Sequence, residues 1–283
     1  MYSLIVEKQN GEQLELTNNE VNWQIAEIEG LAPSDGDITT KELANWDGSV
    51  YVDSRVESRD ITIEIYLNND IENNRLKLYE YFKPSKYVKL YFETNNRSVY
   101  INGYTEKISL NHFVKHQVMK VTIQCPNPFF IDTMEYKTEL SNTMGGFYFP
   151  FSIDSVGIEF TSYEEERKVP VYNYGEISTG ARFILTFNGD VTNPTIYNRD
   201  TGEYIRLINT FSKGDEVEIN TIKGSRTVSK INTEETTNLI SILDINTTWI
   251  QFESGRSYFS LKADKGVDNL ICTIYNSTFY QGL

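Results

Sequence analysis

Short runs of alternating apolar and polar residues, separated by turn residues, recur along almost the whole chain. In the clearest run, residues 59–67, one face is wholly apolar and carries Ile61, Ile63, Ile65 and Leu67. A period of two residues is typical of a strand that buries one face only. After residue 150 such runs return about every ten residues, which is typical of packed antiparallel sheets. The sequence therefore predicts an all-β fold built from sandwiches.

The first half is predicted to contain strands at 2–7, 12–16, 21–29, 50–56, 59–67, 87–93, 97–102, 104–110 and 117–125. Asn10-Gly11 predicts a type I′ hairpin turn, because both of its central residues need positive φ. Glu57-Ser58 predicts a tight turn between the strands at 50–56 and 59–67. The polar segment 31–49 is expected to be a long loop, either a flexible surface loop or an inter-subunit arm.

One short helix is expected near residues 70–82. Asn69 is a candidate N-cap, with Glu72 three residues on as a capping-box variant. Lys83-Pro84 is expected to end the helix. Its apolar residues fall on one face at helical spacing and predict packing on a sheet: Ile71, Leu78, Tyr79 and Phe82.

Two prolines interrupt the strand pattern near the middle of the chain. Proline cannot donate a ladder hydrogen bond and pushes its predecessor into an extended conformation. Because 283 residues suit two modest domains, we predict a ring-forming β domain at 1–132, a connector with the first strands of a second domain at 133–170, and a C-terminal sandwich at 171–283. The candidate domain junction consists of Cys125, Pro126, Pro128, Phe129 and Phe130.

The second half predicts a sandwich or jelly roll. Turn residues such as Lys213-Gly214-Asp215 separate its runs, and residues 236–243 are ambiguous between a strand and a helical turn. The predicted strands lie at 155–162, 168–174, 181–188, 194–199, 203–208, 215–221, 225–231, 249–253, 256–262 and 268–276.

The charge of the chain argues against nucleic acid as its main partner. The net charge is −14, and residues 1–132 and 133–283 each carry 13 basic and 20 acidic residues. Phosphate recognition needs clustered Lys and Arg, and an anionic membrane would repel this surface as well. No apolar run approaches the 18 residues or so of a membrane helix. The N-terminal segment lacks the features of a signal peptide.

Residues that could support catalysis or metal binding are few. His112 and His116 are spaced i,i+4 but have no evident third ligand, and Glu164-Glu165-Glu166 reads as a solvated loop. Cys125 and Cys272 lie in apolar runs of different halves, which suggests free thiols and synthesis in a reducing cytoplasm. No phosphate loop, nucleophile elbow or Cys-x-x-Cys pair occurs. We therefore expect no enzyme activity, no metal and no cofactor.

Several segments carry a family resemblance. Residues 121–130 resemble the strand end and Cys-x-x-Pro-Phe junction of siphophage-type distal tail (Dit) proteins, from phages of Gram-positive bacteria. Near the end the family often has Pro-Gly-x-Asn, where this chain has Ser254-Gly255-Arg256-Ser257. Three further segments are similar to pieces of the same family: Phe149-Pro150-Phe151, Asn173-Tyr174-Gly175-Glu176 and residues 213–221.

The resemblance implies a structural role in a virion. Family members form a homo-hexameric ring through an N-terminal sandwich, between the tail tube protein and the hub or spike protein, and DNA passes through the ring. A C-terminal galectin-like sandwich would face receptor-binding or baseplate proteins. The resemblance leaves open whether the tail is flexible or contractile. The alternative is a carbohydrate-binding adhesin that recognises a host surface saccharide through the C-terminal sandwich.

Overall fold

The computed structural model describes residues 3–17, 21–44, 46–112, 114, 117–145, 161–163, 167–231 and 236–283. The chain divides into two compact units. Unit 1 comprises Met1–Met134 together with Phe279–Leu283, and unit 2 comprises Glu135–Thr278. The prediction of an all-β chain with one short helix and sandwich domains is confirmed.

Two antiparallel sheets that share one long strand form most of unit 1. One runs in the order β2-β1-β7-β8 and the other in the order β3-β6-β9-β8. The elements are β1 (Ser3–Lys8), β2 (Gln13–Glu15), β3 (Trp23–Glu29), β4 (Gly36–Glu42), β5 (Ser49–Val56), β6 (Arg59–Leu67), α1 (Ile71–Tyr81), β7 (Tyr87–Glu93), β8 (Ser98–Leu110), β9 (Val118–Cys125) and β10 (Phe130–Ser141).

The core of unit 1 follows the alternation seen in the sequence. Ile61, Ile63 and Ile65 of β6 are fully buried, while Glu64 between them is partly exposed on the other face. Leu78 of α1 packs into the same core. One buried apolar face on a strand of this length provides several side chains worth about 1.5–3 kcal/mol each.

The prediction that residues 31–49 form a loop is wrong for the middle of that segment. Residues 36–42 form β4, which pairs antiparallel with β5 in a separate two-stranded sheet. The two strands predicted around Glu57-Ser58 are present as β5 and β6, but they do not pair with each other across that segment. β5 pairs with β4, whereas β6 pairs with β3 and β9.

Two local predictions in unit 1 are also wrong. The N-cap of α1 is Asp70, without a side-chain capping bond, while Asn69 has a positive φ of 35° and donates its amide to the Val21 carbonyl. The runs 97–102 and 104–110 are one strand, β8. The strand is continuous through Gly103, where the break was predicted, and its only irregularity in pairing with β9 is a bulge between Thr105 and Lys107.

Two further antiparallel sheets face each other across the core of unit 2. They run in the orders β23-β14-β19-β20-β21 and β13-β22-β16-β17. The strands are β11 (Thr143–Gly145), β12 (Thr161–Tyr163), β13 (Val169–Asn173), β14 (Arg182–Phe187), β15 (Val191–Thr192), β16 (Thr195–Asn198), β17 (Tyr204–Arg206), β18 (Thr210–Phe211), β19 (Glu216–Asn220), β20 (Thr227–Ile231), β21 (Thr236–Asn238), β22 (Gly255–Lys262) and β23 (Leu270–Tyr280).

Most predicted strands of unit 2 are confirmed within a few residues. The run 249–253 is wrong, because only Phe252 makes an isolated bridge, to Thr179. The ambiguous segment 236–243 contains both predicted forms, β21 and a 3-10 turn at Ile240–Ile242. Most of the predicted strand at 155–162 lies outside the described residues. Stacked rings fill the core between the sheets, with the centroids of Phe252 and Phe259 4.9 Å apart.

Candidate assembly surfaces

The hairpin of β4 and β5, here called the arm, exposes apolar side chains to solvent. All eight residues of β5 are exposed, among them Tyr51 at 61% and Val52 at 56%. Trp46, between the two strands, is 72% exposed. Single exposed apolar residues are ordinary, but a cluster of them on one element marks an interaction surface.

The arm is also acidic. Residues 35–57 include six acidic and two basic side chains, for a net charge of −4. Arg55 pairs with Asp37 across the two strands, with Nε 3.1 Å from Oδ2. The ion pair is largely exposed and is worth at most about 1 kcal/mol. The arm therefore keeps its shape by ladder hydrogen bonds more than by side-chain burial.

The sheet face opposite the core on β7 and β8 carries a tyrosine cluster. The rings of Tyr87 and Tyr104 lie 6.0 Å apart, and those of Tyr91 and Tyr100 lie 5.9 Å apart. The Lys89 ammonium sits 3.8 Å from the Tyr100 ring centre. Tyrosine is enriched at protein interfaces because its ring is apolar and its hydroxyl is polar.

The candidate junction is built into unit 1. β9 ends at Cys125 and the chain re-enters a sheet at Phe130, the first residue of β10, which pairs with β8. Pro128 and Phe130 are buried, Phe129 is partly exposed and Pro126 is exposed. The Phe130 ring meets that of Phe92 edge-on at 5.7 Å. The role of these residues as a domain junction stays a prediction.

A buried arginine, missed in the sequence, organises the junction. Arg59 is only 3% exposed, and its guanidinium lies 4.6 Å from the centre of the Phe130 ring. Burial lowers its pKa from the ordinary value. The guanidinium donates to four backbone carbonyl oxygens, those of Gly30, Ala32, Pro128 and Gln281.

The last residues of the chain are fixed to unit 1 by the same kind of contact. Arg97 donates to the Gly282 carbonyl at 2.6 Å, and its guanidinium lies 4.1 Å from the Tyr280 ring centre. The amide of Leu283 donates to the Leu31 carbonyl. The C-terminal segment is thus part of the structure of unit 1.

Two of the motif segments in unit 2 form defined turns. The Asn173 side chain accepts from the Gly175 amide and donates to the carbonyls of Ile177 and Phe252. Asp215 accepts from the Ser212 amide and pairs with Lys230 at 2.7 Å. The hydrogen bond from Lys230 lowers the pKa of the Asp215 carboxyl. These residues fix loops. Phe149-Pro150-Phe151 lies outside the described residues.

A second surface lies on the outward face of β13-β22-β16-β17 in unit 2. Phe259 and Leu261 of β22 point into the core, so their alternate neighbours point outward. We call this surface the tyrosine–cation face. Five of its residues lie on the strands: Tyr197, Tyr204, Tyr258, Arg256 and Lys262. The sixth, Arg199, directly follows β16 and donates its amide to the Tyr258 carbonyl.

The two cysteines, which were considered as nucleophiles, are buried. Burial raises the pKa of the Cys125 thiol to about 12 and also raises that of Cys272, so neither forms a ready thiolate. His116 and Glu164-Glu165-Glu166 lie outside the described residues. Across the part of the chain that the structure describes, no group of three or more His, Cys, Asp and Glu side chains could hold a metal ion. None of the helices described is long and apolar enough to cross a membrane.

Two family profiles match the chain. One, described as a phage tail protein RIFT-related domain, matches residues 9–125. The other, described as the C-terminal domain of a siphovirus-type tail component, matches residues 174–279. No significant match to a curated protein sequence was found.

Solved structures resemble the chain over nearly its whole length. The crystal structure of the SPP1 Dit protein, described as a paradigm of hub adsorption apparatus in Gram-positive infecting phages, gives a TM-score of 0.71 at 14% identity and covers 99% of each chain. A chain of the phage P2 baseplate, in its activated conformation with Ca, gives 0.53 at 11% identity and covers 98% of each chain. At such identities the structures establish the fold, and the profiles establish the relationship. This protein belongs to the siphophage distal tail protein family, the structural components of phage tails.

Proposed function

We propose that the protein forms a hexameric ring at the distal end of the phage tail. The ring joins the tail tube protein to the hub or spike protein and provides an attachment platform for host-adsorption proteins. The domains at 1–132, 133–170 and 171–283 are part of this proposal, with the first as the ring-forming domain and the junction at Cys125, Pro126, Pro128, Phe129 and Phe130 as its exit. The main support for this proposal is the arm, which exposes apolar side chains in a protein of a phage tail family.

The arm suits a ring of identical subunits. Such a ring is closed by head-to-tail contacts, in which one surface of each copy meets a different surface of the next. An exposed hairpin on one copy needs an apolar or aromatic surface on its neighbour. The tyrosine cluster of β7 and β8 has that character. We assign the arm to the contact between neighbouring subunits, with this cluster as its receiving surface.

Native mass spectrometry with negative-stain microscopy tests the ring. The full-length protein should give hexamers and six-fold rings at assembly concentrations. Val50→Asp places a charge on the arm, where Val50 is 47% exposed, and should abolish the hexamer while leaving the monomer folded. Val21→Asp is the matched control, because Val21 is 68% exposed in the same unit but lies off the arm. A strictly monomeric wild type contradicts the ring, and equal effects of the two variants contradict the role of the arm.

The remaining parts of the proposal concern chemistry and location. We place the protein in the virion, at the tail tip, after synthesis in the bacterial host cytoplasm, and assign it no enzymatic activity. DNA passes through the ring without sequence-specific recognition, and the even acidity of the chain supports such passage by repulsion. Turnover of purified peptidoglycan by the protein alone would contradict the assignment of a purely structural role.

A second candidate function is carbohydrate binding by unit 2. The observation that favours it is the tyrosine–cation face, which groups partly buried tyrosine rings and cations on one sheet. The two functions are compatible, since the arm and the tyrosine–cation face belong to different units. Binding of glycans by the full-length protein on an array tests it, and a blank array under varied ionic conditions counts against it.

A further inference from the structure

The arm joins the rest of unit 1 through two base segments. Residues 30–35 form the incoming base, which leads from β3 to β4, and residues 57–58 form the outgoing base, which leads from β5 to β6. Among the described strands, β4 and β5 pair only with each other, and every residue of β5 is exposed. Burial therefore does little to orient the arm, and its direction depends on what holds the two bases.

Arg59 holds the two bases together. It is the first residue of β6, so it directly follows the outgoing base. Its guanidinium donates to the carbonyl oxygens of Gly30 and Ala32 in the incoming base. Between the bases, the Glu57 amide donates to the Asp35 carbonyl at 3.0 Å. One buried side chain therefore fixes where the arm begins relative to where it ends.

A segment that follows unit 2 in the sequence lies on the incoming base. Residues 279–283, here called the C-terminal segment, belong to unit 1. The Leu283 amide donates to the Leu31 carbonyl at 3.1 Å, and the Arg59 guanidinium also donates to the Gln281 carbonyl. The same arginine thus joins the C-terminal segment to both bases of the arm.

The packing of the C-terminal segment on the incoming base leaves little room at Gly282. This residue is buried, and a Cβ there would lie 3.0 Å from Cδ of Pro33 and 3.1 Å from the Leu31 carbonyl oxygen. Carbon atoms in contact are normally about 3.5–4.0 Å apart, so a branched side chain would push the two segments apart. The bases also line an open cleft of about 320 Å³, which gives them room to shift.

We propose that the C-terminal segment is a lock on the arm, which holds it through Arg59 and Gly282 in the direction that the contact between subunits requires. Because the segment follows unit 2 in the sequence, the lock closes only after unit 2 has been synthesised. An incomplete chain therefore carries an arm without a fixed direction and does not enter a ring. The inference rests on the proposed function, in which the arm makes that contact.

Hydrogen exchange of the full-length protein, measured by mass spectrometry below its assembly concentration, tests the lock without the ring. Gly282→Val should make peptides from the two bases, residues 30–36 and 55–60, exchange about tenfold faster, because the bases open more often. Gly282→Ala adds a single methyl group and should have a smaller effect. Faster exchange confined to residues 279–283 would overturn the proposal, because the arm would then not depend on the C-terminal segment.

A second variant disturbs the lock from the side of the arginine. Arg59→Lys keeps a cation, but a single ammonium group lacks the planar fork of donors that reaches several carbonyls. If both residues act through one lock, the double variant should exchange at the bases no faster than the more affected single variant. Additive effects of the two substitutions would show independent contacts and contradict a single lock.

Native mass spectrometry then tests the effect on assembly. If the released arm takes the correct direction one-tenth of the time, Gly282→Val should need an about tenfold higher concentration to form hexamers. Leu78→Ala is the control. Leu78 is fully buried in the core of the same unit, so its truncation destabilises that unit, but it lies on α1, outside the bases and the C-terminal segment. At a temperature where both variants are folded by circular dichroism, Leu78→Ala should assemble like wild type, and an equal loss in the two variants would overturn the proposal.

The two measurements separate this inference from the ring. A wild type that forms no hexamer contradicts the proposed function, and exchange at the bases still decides whether the lock exists. Hexamers that form equally well in Gly282→Val and wild type, despite faster exchange at the bases, keep the ring and overturn the role of the lock in assembly.

Discussion

Replacing Arg59 by methionine removes the guanidinium that holds the proline segment and the C-terminus to unit 1. Methionine has a similar length, so it can keep the packing against Phe130. The change removes the charged donor to four carbonyl oxygens and leaves those oxygens to find water. Arg59→Met is therefore expected to destabilise unit 1 more than a typical surface substitution.

The size of the loss follows from two opposing effects. A hydrogen bond from a charged donor contributes about 1.5 kcal/mol, so four contribute about 6 kcal/mol. All four acceptors are neutral carbonyls, so no carboxylate offsets the cost of burying the charged guanidinium. We take this cost as about 2–3 kcal/mol, which is a modest share of the several kcal/mol expected for a fully buried ion. The net loss in the free energy of unfolding is expected to be about 3–4 kcal/mol.

Urea unfolding followed by tryptophan fluorescence measures this loss. Trp23 is buried in the core of unit 1 and reports its unfolding, whereas Trp46 is exposed before unfolding begins. A Trp249→Phe background removes the signal from unit 2. Arg55→Met is the control, because Arg55 belongs to an exposed ion pair of the same unit, and should cost less than about 1 kcal/mol. A loss below about 1 kcal/mol for Arg59→Met, or one equal to that of the control, would refute the reasoning.

Two further predictions concern single groups in the cores and loops. Cys125 and Cys272 should resist thiol reagents at pH 8 in the folded protein and react in urea, because burial raises the pKa of both thiols; rapid labelling of the native state would contradict this. Asp215 has a lowered pKa because of Lys230, so the pair stabilises the fold above the carboxyl's ordinary pKa of 3.8 and loses that effect as the pH falls further. Asp215→Asn should lower the Tm at pH 7 and match wild type near pH 2, and an equal difference at both would exclude the ion pair as its cause.

The strands whose one face is buried could be predicted from the sequence. The alternation in residues 59–67 indicates which side chains are buried on folding, and those side chains are buried in the structure. β4 could not be found in this way. Its sequence, Gly-Asp-Ile-Thr-Thr-Lys-Glu, lies in an arm with no buried face, so burial imposes no period on it. A pattern method therefore fails at an exposed hairpin, which is also the candidate assembly element.

Arg59 shows a second limit of prediction from sequence, although the sequence did indicate that this residue is buried. It lies in phase with Ile61, Ile63 and Ile65, so the alternation itself places a charged residue on the buried face. A buried charged residue needs hydrogen-bond partners. Here the partners are backbone carbonyls from segments that are distant in the sequence, and no local sequence pattern identifies them. Gly30 is one of them. It has φ +87°, and a Cβ there would lie 2.1 Å from the Asp60 carbonyl oxygen. The position therefore requires glycine, but the sequence alone does not show why.

The return of the C-terminus to unit 1 changes how the two units should be separated. Sequence reasoning looks for one linker, and the two prolines supply a candidate. In the structure the chain crosses the division twice, once within β10 and once within β23, because Phe279–Leu283 belong to unit 1. Neither crossing has the composition of a linker, since each is a continuous strand. A fragment that begins at residue 133 and runs to the end would remove Gln281 from Arg59 and Gly282 from Arg97. Unit 2 is therefore better tested within the full chain, and unit 1 is a single structure made from both ends of the sequence.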